Sequence, residues 1–218
     1  MDNRIFIIGR DAVPQYVRLD SGEKLDWTLV YVPSLNRPGC PEGAASPFAI
    51  AATEGQPDSI RIEIDLCGEG AEADIAGLYL CPDDQKLDIN ILVKHVSGGC
   101  VSRQLFKGIV GGTAKASFDG LIYVAKDSQK TKAYQENHTI LLSETARVET
   151  RPQLEIYADD VECSHGATTG YLNPDELFYM RSRGIPEAEA RRLQMISFLA
   201  PVLQRLPEEL RDDIISEC

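Results

Sequence analysis

LEIYADDVECSHGATTGYLNPDELFYMRSRG, residues 154–184, passes from a strand through a Cys-x-His pair into a capped helix without a break. Leu154, Ile156 and Ala158 share one parity while Glu155, Tyr157 and Asp159 take the other, the period of two of a half-buried strand. Asp159 and Asp160 interrupt it, because short carboxylates favour turns over ladder pairing. A strand that resumes at Val161 sends Val161, Cys163 and His165 to one side. Residues two apart on a strand are separated by roughly 6 to 7 Å along its axis, close enough for a thiolate and an imidazole to reach one metal ion. Two groups begin such a site without completing it.

Beyond the pair the period changes. Asn173 as N-cap, Pro174 at the first helical position and Glu176 three residues after the cap predict a helix start, with Asp175 near the positive end of the helix dipole. The helix runs through LFYMRSR and stops at Gly184, a residue suited to a left-handed cap. A second helix is expected from Pro186, with Ala190, Leu193, Ile196 and Leu199 as an apolar stripe and Pro201 kinking or ending it. Pro207 opens a last short amphipathic segment through Leu210, Ile214 and Ile215. The division is a strand-rich core over residues 1–168 and a helical domain over 169–218.

Upstream, short alternating or apolar runs succeed one another: IRIEIDLC, ADIAGLYLC, LDINILVKHVS, SRQLFKGIV, SFDGLIYVA, HTILLS and VETRPQLEIYA. They recur at roughly 13 to 18 residues with no helical period between Ser59 and Ala158, which suits a sandwich, a barrel or a stack of coils. Three features favour the coils. Few two-residue hairpin signals separate the runs, small residues sit beside bulky ones (Ala76 and Gly77 before Leu78, Gly120 before Leu121), and acidic and amide residues fall at the corners. GIVGGTAK, residues 108–115, lacks the adjacent Gly-Lys and following Ser or Thr of a phosphate loop and reads as a tight corner. Before Ser59 the pattern is weaker, with two apolar patches, RIFIIG and WTLVYVP, a Trp27 expected in the core, and a Pro-rich loop over residues 33–47.

Composition narrows the function. A chain of 218 residues with net charge −12 lacks the clustered Lys and Arg that nucleic acid demands, its start, MDNRIFIIGRDA, does not read as a signal peptide, and no apolar stretch reaches membrane-spanning length. A cytoplasmic protein is expected. Its six cysteines, with no C-x-x-C pair, fit neither a disulfide scaffold nor a zinc module and read as mostly reduced, buried side chains. Among the histidines, His95 in an alternating strand and His138 in a polar run read as structural or surface groups, and His165 beside Cys163 is the functional candidate. A Cys-His hydrolase is disfavoured, since side chains two apart on a strand lie parallel rather than in contact. The alternative enzyme class is a β-helix carbohydrate lyase or hydrolase, weakened because adjacent Asp159 and Asp160 face opposite sides.

ETRPQLEIYADDVECSHGATTGYLNPDELFYMRSRGI resembles the C-terminal signature of the SufB/SufD family of iron-sulfur cluster assembly proteins, and its CSHGAT form resembles the SufD branch. FKGIVGGTAKASFDGLIYVAKDSQKTKAYQENHTILLSETA is similar to the same family, so the likeness covers residues 87–199 and is only general before Leu87. The resemblance implies a right-handed parallel β-helix core with a small C-terminal helical domain and a non-catalytic scaffold subunit. It implies pairing with a SufB-like subunit through the β-helix end, binding of a SufC-like ATPase through the helical tail, and a homodimer in isolation. It implies no tightly bound cofactor but a transient iron-sulfur cluster or iron at a subunit interface, with His165 and its neighbour Cys163 as participants. Leu177, Phe178, Tyr179, Arg181, Arg183 and Ile185 are the implied ATPase-facing residues. Family members are longer and carry an N-terminal helical region, so this chain is expected to correspond to their core and tail.

Overall fold

Every strand pairing in the computed structural model, which describes residues 3–36 and 58–218, is parallel. The strands are β1 (Arg4–Ile7), β2 (Tyr16–Leu19), β3 (Lys24–Tyr31), β4 (Asp58–Leu66), β5 (Glu72–Cys81), β6 (Lys86–His95), β7 (Val101–Val110), β8 (Lys115–Val124), β9 (Thr131–Leu141), β10 (Arg147–Ile156) and β11 (Val161–Tyr171). Odd-numbered strands form one sheet in the order β1-β3-β5-β7-β9-β11, and even-numbered strands form a second in the order β10-β8-β6-β4-β2. A chain that alternates between two parallel sheets is a coil, each turn giving one strand to each sheet. The fold is therefore a β-helix, and the expectation of stacked coils is met. Glu72, Val101, Lys132 and Glu162 stand in one row of the ladder, so a turn takes about 30 residues. The weak patches RIFIIG and WTLVYVP become β1 and β3 and extend the same stack.

The two sheets differ in sequence because their outer faces differ in environment. β4, β6 and β8 alternate strictly in burial, with mostly apolar residues inward and mostly polar ones toward solvent. β3 and β5 are nearly continuous in burial, as expected of strands covered on both sides. Inside the coil the packing is large against small. A Cβ on Gly77 would lie 2.1 Å from the Phe106 ring, and one on Gly108 would lie 1.9 Å from the ring of Tyr79, each glycine being the register partner of the aromatic it faces. Trp27 is buried and meets Phe6 edge-on at 5.0 Å. The GIVGGTAK segment is a corner between β7 and β8, where Gly112 adopts φ +54° and leaves no room for a side chain against the backbone of Asp83. Of the Pro-rich loop, Pro33–Asn36 forms a 3₁₀ turn. Residues 37–57, which carry the rest of that reading and Cys40, lie outside the described residues.

Three helices follow: α1 (Pro174–Ser182), α2 (Glu187–Leu203) and α3 (Glu208–Glu217). The start of α1 is as its sequence predicts, with Asn173 Oδ1 accepting from the N–H groups of Asp175 (3.0 Å) and Glu176 (3.4 Å), and Gly184 at φ +89° just past its end. One expectation about α2 is corrected. Its sheet-facing residues are Met195, Leu199, Val202 and Leu203, whereas Leu193 is exposed. At about 100° per residue, Leu193 stands about 120° from Leu199 around the helix, so spacings of three had drifted off the buried face. Pro201 sits in the last turn, and the helix runs only two residues past it to Leu203, where the burial of Val202 and Leu203 stands in place of the single bond that Pro201 forfeits.

α2 lies on the outer face of the first sheet, packing against Val30, Leu78, Leu80 and Ile109. Arg205, just beyond it, pairs with Asp26 of β3 and with Asp74 of β5 (2.5 Å), and the Lys107 ammonium of β7 sits 4.6 Å from the centre of the Phe198 ring. The tail thus turns back over the sheet from which it emerges. None of the described helices is long and apolar enough to cross a membrane.

Candidate functional site

β10 and β11 are the last strands of their sheets, each paired on one side only. The consequence shows in the inward-facing residues. On β9, one turn back, Gln135, Asn137 and Thr139 are buried. Their register partners on β11, His165, Ala167 and Thr169, are exposed. The coil ends open, and the alternation read from the sequence places Cys163 and His165 on its uncovered inner face. Cys163, at the better-covered end of β11, is half-buried against Ile122, Val124, Ala133 and Ala158. Burial pushes its thiol pKa up, partly opposed by a hydrogen bond from the Ala133 backbone, so a metal that takes this sulfur as thiolate must displace its proton. The β10 residues facing the same opening are Val148, Thr150, Pro152, Leu154 and Ile156, the register partners of the buried β8 positions Ala116, Phe118, Gly120, Ile122 and Val124.

Beneath this opening the interior is polar. The Tyr79 hydroxyl lies 2.6 Å from Thr139 Oγ1 and 3.3 Å from Asn137 Oδ1, Asn137 Nδ2 donates to Thr150 Oγ1 at 3.1 Å, and Gln135 Nε2 donates to Gln104 Oε1 at 3.0 Å. Sequence reasoning missed this floor. The signal was available in KAYQENHT, where both strand parities are polar, so one set of polar residues had to face inward. The same placement buries Asn137 of the Asn137-His138-Thr139 sequon inside the coil.

The three histidines separate as their sequence contexts suggested. His95 is fully buried, shares a 2.9 Å hydrogen bond with Ser102 Oγ, and burial pushes its pKa down to about 4, so it is a neutral core group. His138 lies on the outer face of β9, with Nδ1 2.7 Å from Thr168 Oγ1 and Nε2 3.2 Å from Glu136 Oε2. His165 alone is exposed at the open end, and no described protein group hydrogen-bonds its ring. Among the described residues no three His, Cys, Asp or Glu side chains come together to hold a metal ion, so Cys163 and His165 form at most part of a ligand set. Asp159 and Asp160 occupy the corner between β10 and β11, where the Asp160 carbonyl accepts from the Lys130 N–H and its own N–H donates to Gln129 Oε1. The described cysteines, Cys67, Cys81, Cys100, Cys163 and Cys218, are all free thiols.

The second group of candidates lies on α1 and, with Arg183 and Ile185, just past its end; α1 itself contains no buried residue. Phe178 and Tyr179 are 73 % and 59 % exposed, Leu177 and Ile185 are half-buried, Arg181 pairs with Glu187 at 3.2 Å, and the Arg183 guanidinium lies 5.3 Å from the Tyr179 ring centre. Tyr171 and Leu193, also exposed, border a cleft of about 410 Å³ between α1, α2 and the ends of β9 and β11. Exposed aromatics on a helix that gives the core only the half-buried Leu177 are unusual for a face left in water.

Residues 42–198 match the family described as SUF system FeS cluster assembly, SufBD core domain. The chain is 42 % identical over 148 residues to iron-sulfur cluster assembly protein SufD of Escherichia coli (strain K12), a match covering 68 % of this chain and 34 % of that protein. It is 36 % identical over 165 residues to the chloroplastic protein ABCI7 of Arabidopsis thaliana (74 % and 34 %), and 34 % identical over 144 residues to SufD of Bacillus subtilis (strain 168) (66 % and 33 %). The chain spans about a third of the length of these curated relatives.

Proposed function

This chain belongs to the SufBD core family, in its SufD branch, and from that premise we propose that it is a non-catalytic scaffold subunit for iron-sulfur cluster assembly in the cytoplasm. The observation that carries the reading is the open last turn, where residues that are buried one turn earlier stand exposed and half-buried apolar side chains line the mouth. A second β-helix end, from a SufB-like subunit, covers that mouth and brings the ligands that Cys163 and His165 lack. In isolation, two copies of this chain meet through the same end. The cluster or iron is cargo rather than a resident cofactor: one thiolate and one imidazole from this side hold it incompletely, which suits release to an acceptor. The exposed face of α1, with Phe178 and Tyr179 at its centre and Leu177, Arg181, Arg183 and Ile185 around them, receives a SufC-like ATPase, aromatic and arginine anchors being the usual carriers of interface energy.

The test is reconstitution with a SufB-like subunit and its ATPase under anaerobic conditions, following complex formation by light scattering and cluster build-up by absorbance. The complex is expected to form with the parent chain and with His165→Ala, and the variant is expected to lose cluster formation. Full cluster formation by His165→Ala removes the site assignment; no complex with either partner removes the scaffold reading.

A further inference from the structure

Gln135 lies on the inner face of β9, 1 % exposed, in the same row of the ladder as Gln104 of β7 and His165 of β11. Its Nε2 donates to Gln104 Oε1 at 3.0 Å. The nitrogen and oxygen of a planar carboxamide diverge, so an amide whose nitrogen is committed toward β7 turns its oxygen toward β11. Gln135 Oε1 is buried and accepts from no described protein group. The carboxamide has little freedom to turn away. It occupies the space left by Gly120 of β8, where a Cβ would stand 2.3 Å from Gln135 Nε2 and 2.7 Å from Oε1. The two glutamines therefore form a short amide chain with both oxygens directed at the open end, and its last oxygen lacks a donor. In such a chain each bond polarises the next, which strengthens the terminal acceptor.

The side chain in the next rung is the His165 imidazole. In this structure neither Gln135 Oε1 nor the imidazole has a hydrogen-bond partner among the described residues, and we propose that the exposed ring turns to make the bond: Gln135 is a positioning residue for His165, its Oε1 accepting the Nδ1–H of the imidazole and fixing the tautomer that leaves Nε2 unprotonated at the mouth of the coil. In that rotamer Nδ1, one bond nearer the backbone, is the nitrogen within reach of the amide, and Nε2 is the one left for the opening. A ring so held presents a lone pair to an incoming metal without first shedding a proton, the arrangement that outer hydrogen bonds impose on metal-binding histidines generally. The meaning for cargo handling rests on the reading of His165 proposed above; the hydrogen bond does not.

The test is a long-range ¹H–¹⁵N correlation spectrum of the ring nitrogens in the full chain at a pH where the rings are neutral, with His138→Gln and His95→Gln used to assign the three imidazoles. His165 is expected in its Nδ1–H form in the parent chain and in Gln135→Glu, which keeps an acceptor. Gln135→Met is expected to return it to the Nε2–H form that dominates in water. An Nε2–H tautomer in the parent chain, or an Nδ1–H tautomer that persists in Gln135→Met, overturns the proposal. The parent spectrum alone decides if Gln135→Met does not fold. Should the tautomer behave as expected while His165→Ala assembles clusters normally, the site reading fails and the hydrogen bond stands.

Discussion

Gly108→Ala places one methyl group in the interior at the point where β7 passes Tyr79 of β5, and its effect follows from the contacts. The new Cβ would stand 1.9 Å from Tyr79 Cε2 and Cζ and 2.5 Å from the hydroxyl. Gly108 is not in the left-handed region, so the whole effect is steric. The ring cannot retreat freely, because it is buried and its hydroxyl is held by Thr139 and Asn137. Overpacking a filled core costs about 1–3 kcal/mol, and tilting the ring out of its hydrogen bonds adds about 1–3 kcal/mol for the partners left unsatisfied. A loss of about 3 kcal/mol lowers the Tm of a chain this size by about 6–12 °C. Urea unfolding followed by circular dichroism, repeated on a Tyr79→Leu background, separates this contact from a general intolerance of β7. With the ring gone the methyl has room, so the double variant should be more stable than the sum of the single effects by at least about 1 kcal/mol. A single variant within about 0.5 kcal/mol of the parent, or strict additivity, would show that Tyr79 and Gly108 do not face each other, and the register of the first sheet would fall with them.

Acidification should act through His95. The buried ring has a pKa near 4 in the folded chain and about 6.5 when unfolded, so between those values the unfolded state binds the extra proton and stability falls as pH falls. The difference between pH 7.5 and pH 5 is about 2 kcal/mol for this group, and His95→Gln should lose that part of the pH dependence in denaturant titrations. Arg205→Met should destabilise the helical tail by about 1–3 kcal/mol, since it leaves Asp26 and Asp74 facing each other without their cation, and peptide-level hydrogen exchange should locate the loosening in α2 and α3. The paired change Phe178→Ala and Tyr179→Ala should leave Tm within about 1 °C, both side chains being exposed, while weakening capture of a SUF ATPase by at least about tenfold in calorimetry.

The fold was legible in the sequence wherever one face of a strand met solvent. IRIEIDL and KLDINILVKH write their orientation directly, because the second sheet is covered on one side only. LDWTLVY and IAGLYLC do not alternate, because α2 and the chain around it cover their outer face, and that covering comes from residues more than a hundred positions away. The caps of α1 were readable because they are local: Asn173, Pro174 and Gly184 act on their own turn. The buried face of α2 was not, because Leu193 and Met195 are equally apolar in sequence and only the position of the sheet distinguishes them. At the site, the Cys163 and His165 alternation gave direction. That the turn carrying them is the last, and that its floor is built of Gln104, Gln135, Asn137 and Thr139, depends on how many coils stack beneath it.

On the function proposed above, the turn formed by β10 and β11 is an unfinished end that another β-helix completes over Cys163 and His165. Amide hydrogen exchange of residues 147–171, compared between the chain alone at low concentration and the chain bound to a SufB-like subunit, tests it most directly. The free edge of β11 is expected to become protected on assembly while β4 and β6 exchange as before. Protection that leaves residues 161–171 unchanged and appears on the outer face of the second sheet would contradict it.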